Sequence, residues 1–286
     1  MRHSILLAGR TALVLGMLFA SRLDAQDFRN PPLDSSIHFQ LVSDFLLVVH
    51  GRVGELDGLK FILDTGATYT LIDRKLADKL KLPRRPGKIT NFDREVPVEW
   101  AVIPDLRVGP LQTGPFRVQV AKLGDFSKLA ENVDGIIGLD LLSRSRKFFI
   151  DYEKQTVAWE LAGDGRDRRT SPTYFAIPFI VQGQAMQLII DTGFQGILLY
   201  KDRLHKRVPD LRTEGEAVEV EFGRLQTTQV KLPGVSLFGR EKVATVFLTD
   251  GPDGGDLPGV DGYLGLASLK AKHVEFDFAA KMLRWE

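Results

Sequence analysis

The sequence predicts a mostly β chain built as two homologous barrel-like lobes, the product of an internal duplication, with a site between them. Three observations lead there. Blocks of residues recur in the same order at a nearly constant spacing. The blocks consist of short apolar runs separated by glycine-containing turns. Each half delivers one aspartate at the end of an apolar run, followed at once by Thr-Gly. A repeat this long is a duplicated small domain rather than a solenoid unit, whose period is a few tens of residues.

The first block is Leu59-Lys-Phe-Ile-Leu-Asp64-Thr65-Gly66-Ala67-Thr68, matched by Met186-Gln-Leu-Ile-Ile-Asp191-Thr192-Gly193-Phe194-Gln195, 127 residues on (64 to 191). Asp134-Gly-Ile136-Ile137-Gly138-Leu139 recurs as Asp261-Gly-Tyr263-Leu264-Gly265-Leu266 at the same spacing. Each half ends alike, Phe149-Ile-Asp-Tyr152 running to Trp159-Glu160 and Glu275-Phe-Asp-Phe278 running to Trp285-Glu286.

Strand-like runs precede each aspartate. Phe45 to Val53 and Leu59 to Leu63 flank a turn at Gly54 to Gly58, and Phe175 to Val181 and Met186 to Ile190 flank Gln182-Gly183-Gln184. A short apolar strand follows each aspartate, Tyr69 to Ile72 or Gly196 to Tyr200. Then comes a charged helical stretch, Asp73 to Leu82 or the shorter Lys201 to Val208. The expected divisions are a signal peptide at 1–25, an N-terminal lobe at 37–160, a polar linker at 161–173 and a C-terminal lobe at 174–286.

The signal-peptide reading rests on a polar start at Arg2 and His3, an apolar run interrupted by Arg10, and a small residue, Ala25, before the expected cut. It implies export, to the periplasm or outside the cell. About a dozen residues then separate the cut from the first strand, too few for an inhibitory prosegment. Net charge is +1, which gives no reason to expect nucleic acid or an anionic membrane as partner. The chain has no cysteine, so disulfides, thiolate metal sites and cysteine nucleophiles are excluded. Its hydrophobic content of 44% suffices for a core without them.

An aspartate ending an apolar strand is held at a tip in partly apolar surroundings, and the glycine two residues on lets the chain turn and approach another backbone closely. A lone Asp-Thr-Gly reads as an Asx-turn. Two of them in register inside a duplicated unit read as a pair. Two carboxylates ~3 Å apart repel by roughly 5–6 kcal/mol at an effective dielectric near 20, about four pK units. They share a proton and titrate jointly. The ionised member can take a proton from water while the protonated one donates to a carbonyl, which is general acid–base hydrolysis of an amide with neither metal nor covalent intermediate.

On the two Asp-Thr-Gly triplets and the segments Ile136-Ile137-Gly138 and Tyr263-Leu264-Gly265, the chain resembles the clan AA aspartic proteases, in particular the bacterial retropepsin-like group, over nearly all of the chain beyond the signal. The resemblance implies acid-protease-like lobes, catalytic roles for Asp64 and Asp191, and threonines, Thr65 and Thr192, that brace the two loops against each other. Gly66, Gly193, Ala67, Thr68 and Phe194 complete the loops. Ile137, Gly138, Leu264 and Gly265 supply the ψ-shaped crossing behind them. Each half is near the size of a retropepsin subunit, so the chain looks like such a dimer fused into one monomer with intramolecular lobe pairing. The implied partner is a peptide or protein substrate; no cofactor, metal or nucleic acid is expected.

The second loop departs from the family pattern. Phe194 stands where a small residue is usual, and Gln195 replaces a hydroxyl. A phenyl ring beside Asp191 would disfavour its charged form and make it the proton carrier. The same ring motivates an alternative, a catalytically weak or inactive protease-like protein that binds peptides. A further possibility is that each lobe pairs with a lobe of another chain. Flaps are expected between helix and ψ segment, at Ile89 to Trp100 and Val218 to Thr228. The five histidines form no zinc motif, and His50, in an apolar strand, reads as a structural histidine. The run Asp250 to Asp256 has acidic spacing unlike an EF-hand loop and reads as solvated.

Overall fold

The computed structural model describes residues 36–91, 94–125, 132–161, 174–222, 225–237, 240–251 and 259–286. The signal segment at 1–25, nearly all of the linker and most of the acidic 250–256 run lie outside these residues. The molecule is mostly β, as the sequence predicts, and the strands among the described residues form three sheets.

The first half runs β1 (Ser36–His38), β2 (Gln40–Val42), β3 (Leu46–Val53), β4 (Leu56–Leu63), β5 (Leu71–Asp73), α1 (Arg74–Lys79), β6 (Arg85–Asn91), β7 (Arg94–Ile103), β8 (Leu106–Val108), β9 (Leu111–Thr113), β10 (Phe116–Ala121), β11 (Gly135–Ile137), α2 (Leu139–Leu142), β12 (Ser145–Asp151) and β13 (Thr156–Leu161). The second runs β14 (Ala176–Val181), β15 (Gln184–Asp191), β16 (Ile197–Tyr200), α3 (Lys201–Arg207), β17 (Glu214–Phe222), β18 (Leu225–Leu237), β19 (Arg240–Thr249), β20 (Gly262–Gly265), β21 (His273–Asp277) and β22 (Met282–Trp285).

Local chemistry accounts for these bounds. Gly54, at φ 55°, allows the tight turn between β3 and β4, so β4 starts at Leu56, earlier than the sequence suggests. Gln182 and Gly183, both at positive φ, make the corresponding turn between β14 and β15. Asp73 caps α1 by accepting from the Lys75 amide at 2.8 Å, and Leu76 and Ala77 turn inward. His50 lies on the exposed side of β3 opposite Lys60, because alternation along a strand puts its neighbours Val49 and Gly51 inside. The structural role expected of it is therefore not seen.

The two large sheets share one strand order. The first reads β6-β7-β10-β5-β11-β4-β3, and the second reads β17-β18-β19-β16-β20-β15-β14. The parallel pairs β4 with β11 and β5 with β10 recur as β15 with β20 and β16 with β19. The halves differ at one edge. In the second, β18 is long enough to pair with β14 as well, after a bulge at Pro233-Gly234, and the sheet closes into a barrel. In the first, Pro104-Asp105 divides the corresponding stretch, and the separate hairpin of β8 and β9 pairs with β3 instead.

The third sheet, in the order β1-β13-β12-β21-β22, is built from both halves. Phe149 on β12 stands opposite Glu275 on β21, its own counterpart 126 residues on, as happens where an approximate two-fold axis passes between strands. Glu275 is 3% exposed and accepts from Lys147 at 2.9 Å and from Arg284. Beneath the sheet an aromatic row crosses between the halves: Phe148 stacks on Trp159 and on Phe276, with ring centroids 5.5 and 5.8 Å apart, and Phe175 meets Phe276 and Phe278 edge-on.

Phe148 is fully buried at the centre of this row. Phe148→Ala is expected to destabilise the protein by roughly 3–5 kcal/mol, the range for a buried aromatic truncated to Ala. Urea unfolding checks this; a loss below about 1 kcal/mol would show that the row contributes little to joining the halves.

Candidate active site

The ends of β4 and β15 bring the two Asp-Thr-Gly loops together. Asp64 follows directly on Leu63, and its amide donates to the Ile137 carbonyl at 3.0 Å. Asp191 is the last residue of β15 and pairs in register with Gly265. Each carboxylate is then turned by its own loop: Asp64 Oδ1 accepts from the amides of Gly66 at 2.8 Å and Ala67 at 2.9 Å, and Asp191 Oδ1 accepts from Gly193 at 2.6 Å.

The two carboxyl groups lie close enough for each to shift the other's proton affinity. Each carboxyl lies over the glycine of the opposite loop. A Cβ on Gly66 would stand 2.4 Å from Asp191 Oδ2, and one on Gly193 would stand 2.6 Å from Asp64 Oδ2. Any side chain at either glycine would drive the pair apart.

Thr65 and Thr192, each 1% exposed, join the loops by four reciprocal hydrogen bonds. The Thr65 hydroxyl donates to the Ile190 carbonyl at 2.8 Å and accepts from the Thr192 amide at 3.2 Å. The Thr192 hydroxyl donates to the Leu63 carbonyl at 2.7 Å and accepts from the Thr65 amide at 3.0 Å. All the groups are buried, so a missing partner would cost roughly 1–3 kcal/mol for each group left unpaired.

The ψ segments hold the loops from behind. The amides after Gly138 reach back to the first loop, Leu139 to the Ala67 carbonyl at 2.9 Å and Asp140 to the Thr68 carbonyl at 3.1 Å, and the Gly265 amide donates to Gly196 at 2.8 Å. Both glycines press on backbone: a Cβ at Gly138 would be 2.7 Å from the Tyr69 carbonyl carbon, and one at Gly265 would be 2.4 Å from the Phe194 oxygen. Ile137 and Leu264 are fully buried beside them.

Burial pushes the carboxyls of both aspartates up, Asp191 well above the ordinary range. The Asp64 charge raises Asp191 further, whereas Asp64 is drawn back by the hydrogen bond from Asp191 and the amides of Ala67 and Gly66. The pair therefore titrates jointly, with the stronger upward pull on Asp191. The sequence attributes this asymmetry to Phe194, but the Phe194 ring packs with Ile189, Leu198, Tyr200 and Tyr263 in the interior of the second lobe. General burial and the partner's charge are the leading causes.

Several residues around the pair escaped the sequence reading. Thr70, fully buried, donates to Asp140 at 2.7 Å and accepts from the Gly138 amide at 3.2 Å. Burial raises the Asp140 carboxyl, and the bonds from Thr70 draw it back. The counterparts 127 residues on are Ile197 and Ala267, so comparing the repeats hides this polar pair. The Tyr174 hydroxyl hydrogen-bonds Thr68 of the first loop. Gln195, the counterpart of Thr68, is exposed.

Both expected flap segments lie in hairpins, β6 with β7 and β17 with β18; their tips at 92–93 and 223–224 lie outside the described residues. Trp100, near the base of the first, meets Tyr69 edge-on at 5.4 Å and lies under the Arg117 guanidinium at 4.0 Å. Glu214 to Glu219 on β17 are exposed throughout.

Residues 49–141 match the family model described as aspartyl protease. That stretch holds the Asp64 loop, the first hairpin and the first ψ segment. Three solved structures are similar in part. A retropepsin-like aspartic protease from Rickettsia conorii is 18% identical, covers 43% of this chain and 89% of its own, with a TM-score of 0.31. An aspartic proteinase from Irpex lacteus is 14% identical over 87% of this chain and 95% of its own, with a TM-score of 0.45. Conglutin gamma, a basic 7S globulin from lupine seeds, is 12% identical over 89% of this chain and 94% of its own, with a TM-score of 0.45. No curated protein matches the chain.

The raised carboxyl of Asp191 has a consequence for stability. Between the ordinary carboxyl value of 3.8 and the raised native value, the folded protein keeps a proton that the unfolded chain has released. Stability therefore falls as pH rises through that window. Asp191→Asn removes the linkage, so its Tm relative to the parent is expected to grow more favourable from pH 3 to pH 7. A difference independent of pH in thermal melts would contradict the raised value.

Proposed function

We propose that the chain is an aspartic endopeptidase, hydrolysing peptide bonds with a water activated between Asp64 and Asp191. The observation that carries this reading is the mutual contact of two carboxyl groups, one from each half, whose surroundings pull their proton affinities apart. The aspartyl-protease match over residues 49–141 supports it.

In the proposed cycle a water lies between the pair and a bound peptide carbonyl. Ionised Asp64 takes a proton from the water as its oxygen adds to the carbonyl carbon, and Asp191 gives its proton to the carbonyl oxygen. The product is a neutral tetrahedral diol. Asp64 then passes its proton to the amide nitrogen as the C–N bond breaks, and one diol hydroxyl returns a proton to Asp191 as the new carboxyl forms. The pair ends as it began. Thr65 and Thr192 contact no reacting atom; they hold the carboxyls at the spacing that makes one shared proton favourable.

The same reading extends to an exported monomer with the site between two lobes derived by duplication and with the β6–β7 and β17–β18 hairpins covering a peptide. The alternative of a peptide binder without turnover arose from the size of Phe194, whose ring is accommodated in the second lobe's interior.

Asp64→Asn and Asp191→Asn are each expected to lower cleavage of a peptide library at least ~100-fold, the scale of a lost acid–base group, while near-UV circular dichroism stays native. Ordinary turnover in either variant would rule out the shared pair.

A further inference from the structure

The carboxyl pair is nearly symmetric in backbone, but one side carries a side-chain link with no two-fold mate. Tyr174 lies just ahead of β14 in the second half. Its hydroxyl hydrogen-bonds the Thr68 hydroxyl, four residues past Asp64 on the first loop. The ring is half-buried and packs against the main core and against the cluster around Phe194. Thr68 is itself tied to the first ψ segment through its carbonyl, which accepts from the Asp140 amide. The counterparts in strand register are Leu46, buried and without a polar side-chain atom, and Gln195, which is exposed.

The consequence is mechanical. The four threonine hydrogen bonds join the loops at their buried bases. They leave the outer part of the first loop, Ala67 to Tyr69, to be held by other contacts. Ala67 matters there because its amide donates to the Asp64 carboxylate. A link from Thr68 to the second lobe restrains the stretch of chain that orients this amide. The Tyr174 hydroxyl also lies close enough to the carboxyl pair for the pair to raise its proton affinity.

We propose that Tyr174 is a positioning residue: through Thr68 it fixes the outer part of the Asp64 loop to the second lobe and so sets the orientation of the Asp64 carboxylate. Its effect on turnover rests on the peptidase reading above, whereas its effect on the loop does not.

The test uses the full folded chain and a cycle of Tyr174→Phe, Thr68→Val and the double variant. Two quantities are read: kcat and KM on a cleaved library peptide, and amide hydrogen exchange at Gly66, Ala67 and Gly193. Each single variant is expected to lower kcat about 2- to 12-fold, the worth of one hydrogen bond, with KM changed less than about twofold. The double variant should be no worse than the singles, because both remove one interaction. Exchange at Gly66 and Ala67 should quicken several-fold while Gly193 is unchanged. Losses that multiply in the double variant, or parental exchange at Gly66 and Ala67 in Tyr174→Phe, would overturn the proposal. If the parent cleaves nothing, the peptidase reading falls and the exchange arm alone decides whether the link holds the loop.

Discussion

Two carboxyl groups held against each other out of water are intrinsically unfavourable, and much of this structure is organised to hold them. At an effective dielectric near 20, two charges ~3 Å apart would cost roughly 5–6 kcal/mol. Retaining one proton removes most of that. What remains is the cost of keeping the carboxyls close and buried, which falls on the loop amides, the reciprocal threonines and the glycines. The glycines at 66 and 193 are required for space, since a Cβ at either would overlap the opposite carboxyl. Behind them the shared sheet, with Phe148, Trp159 and Phe276 stacked beneath it, keeps the halves from separating.

Around this symmetric centre the two halves differ in side chains while sharing a strand order. The first half keeps a small Ala67, a hydroxyl at Thr68 and a buried polar pair in Thr70 and Asp140. The second has Phe194, exposed Gln195, and Ile197 and Ala267 where the polar pair would stand. Its loop is supported by an apolar and aromatic cluster around Phe194. An asymmetric setting suits the proposed acid–base pair, in which the two carboxyls would perform different tasks and burial raises Asp191 more strongly.

The parts legible in the sequence are those governed by local backbone geometry. An apolar run ending in Asp-Thr-Gly announces a strand and a turn, and the matched glycines 127 residues apart announce close backbone approach. The pairing of β12 with β21 was not legible, because Phe149 to Tyr152 and Glu275 to Phe278 look like the ends of separate units and nothing local says that they meet. Thr70 with Asp140 was hidden because Ile197 and Ala267 stand at the matched positions of the second half. Tyr174 follows the linker with no motif around it, and only its contact across the lobes singles it out. The packing of the Phe194 ring was not legible either, since a residue's place beside a motif does not tell which way its side chain points.

The central claim is that one proton is shared unequally between Asp64 and Asp191. Carbon-13 NMR of the aspartate carboxyl carbons in the full chain, assigned with Asp64→Asn and Asp191→Asn, measures it most directly. The account predicts that Asp191 remains protonated well above the ordinary carboxyl value of 3.8 while Asp64 is ionised, and that replacing either residue changes the titration of the other. Two carboxyls that ionise independently at ordinary values would contradict it.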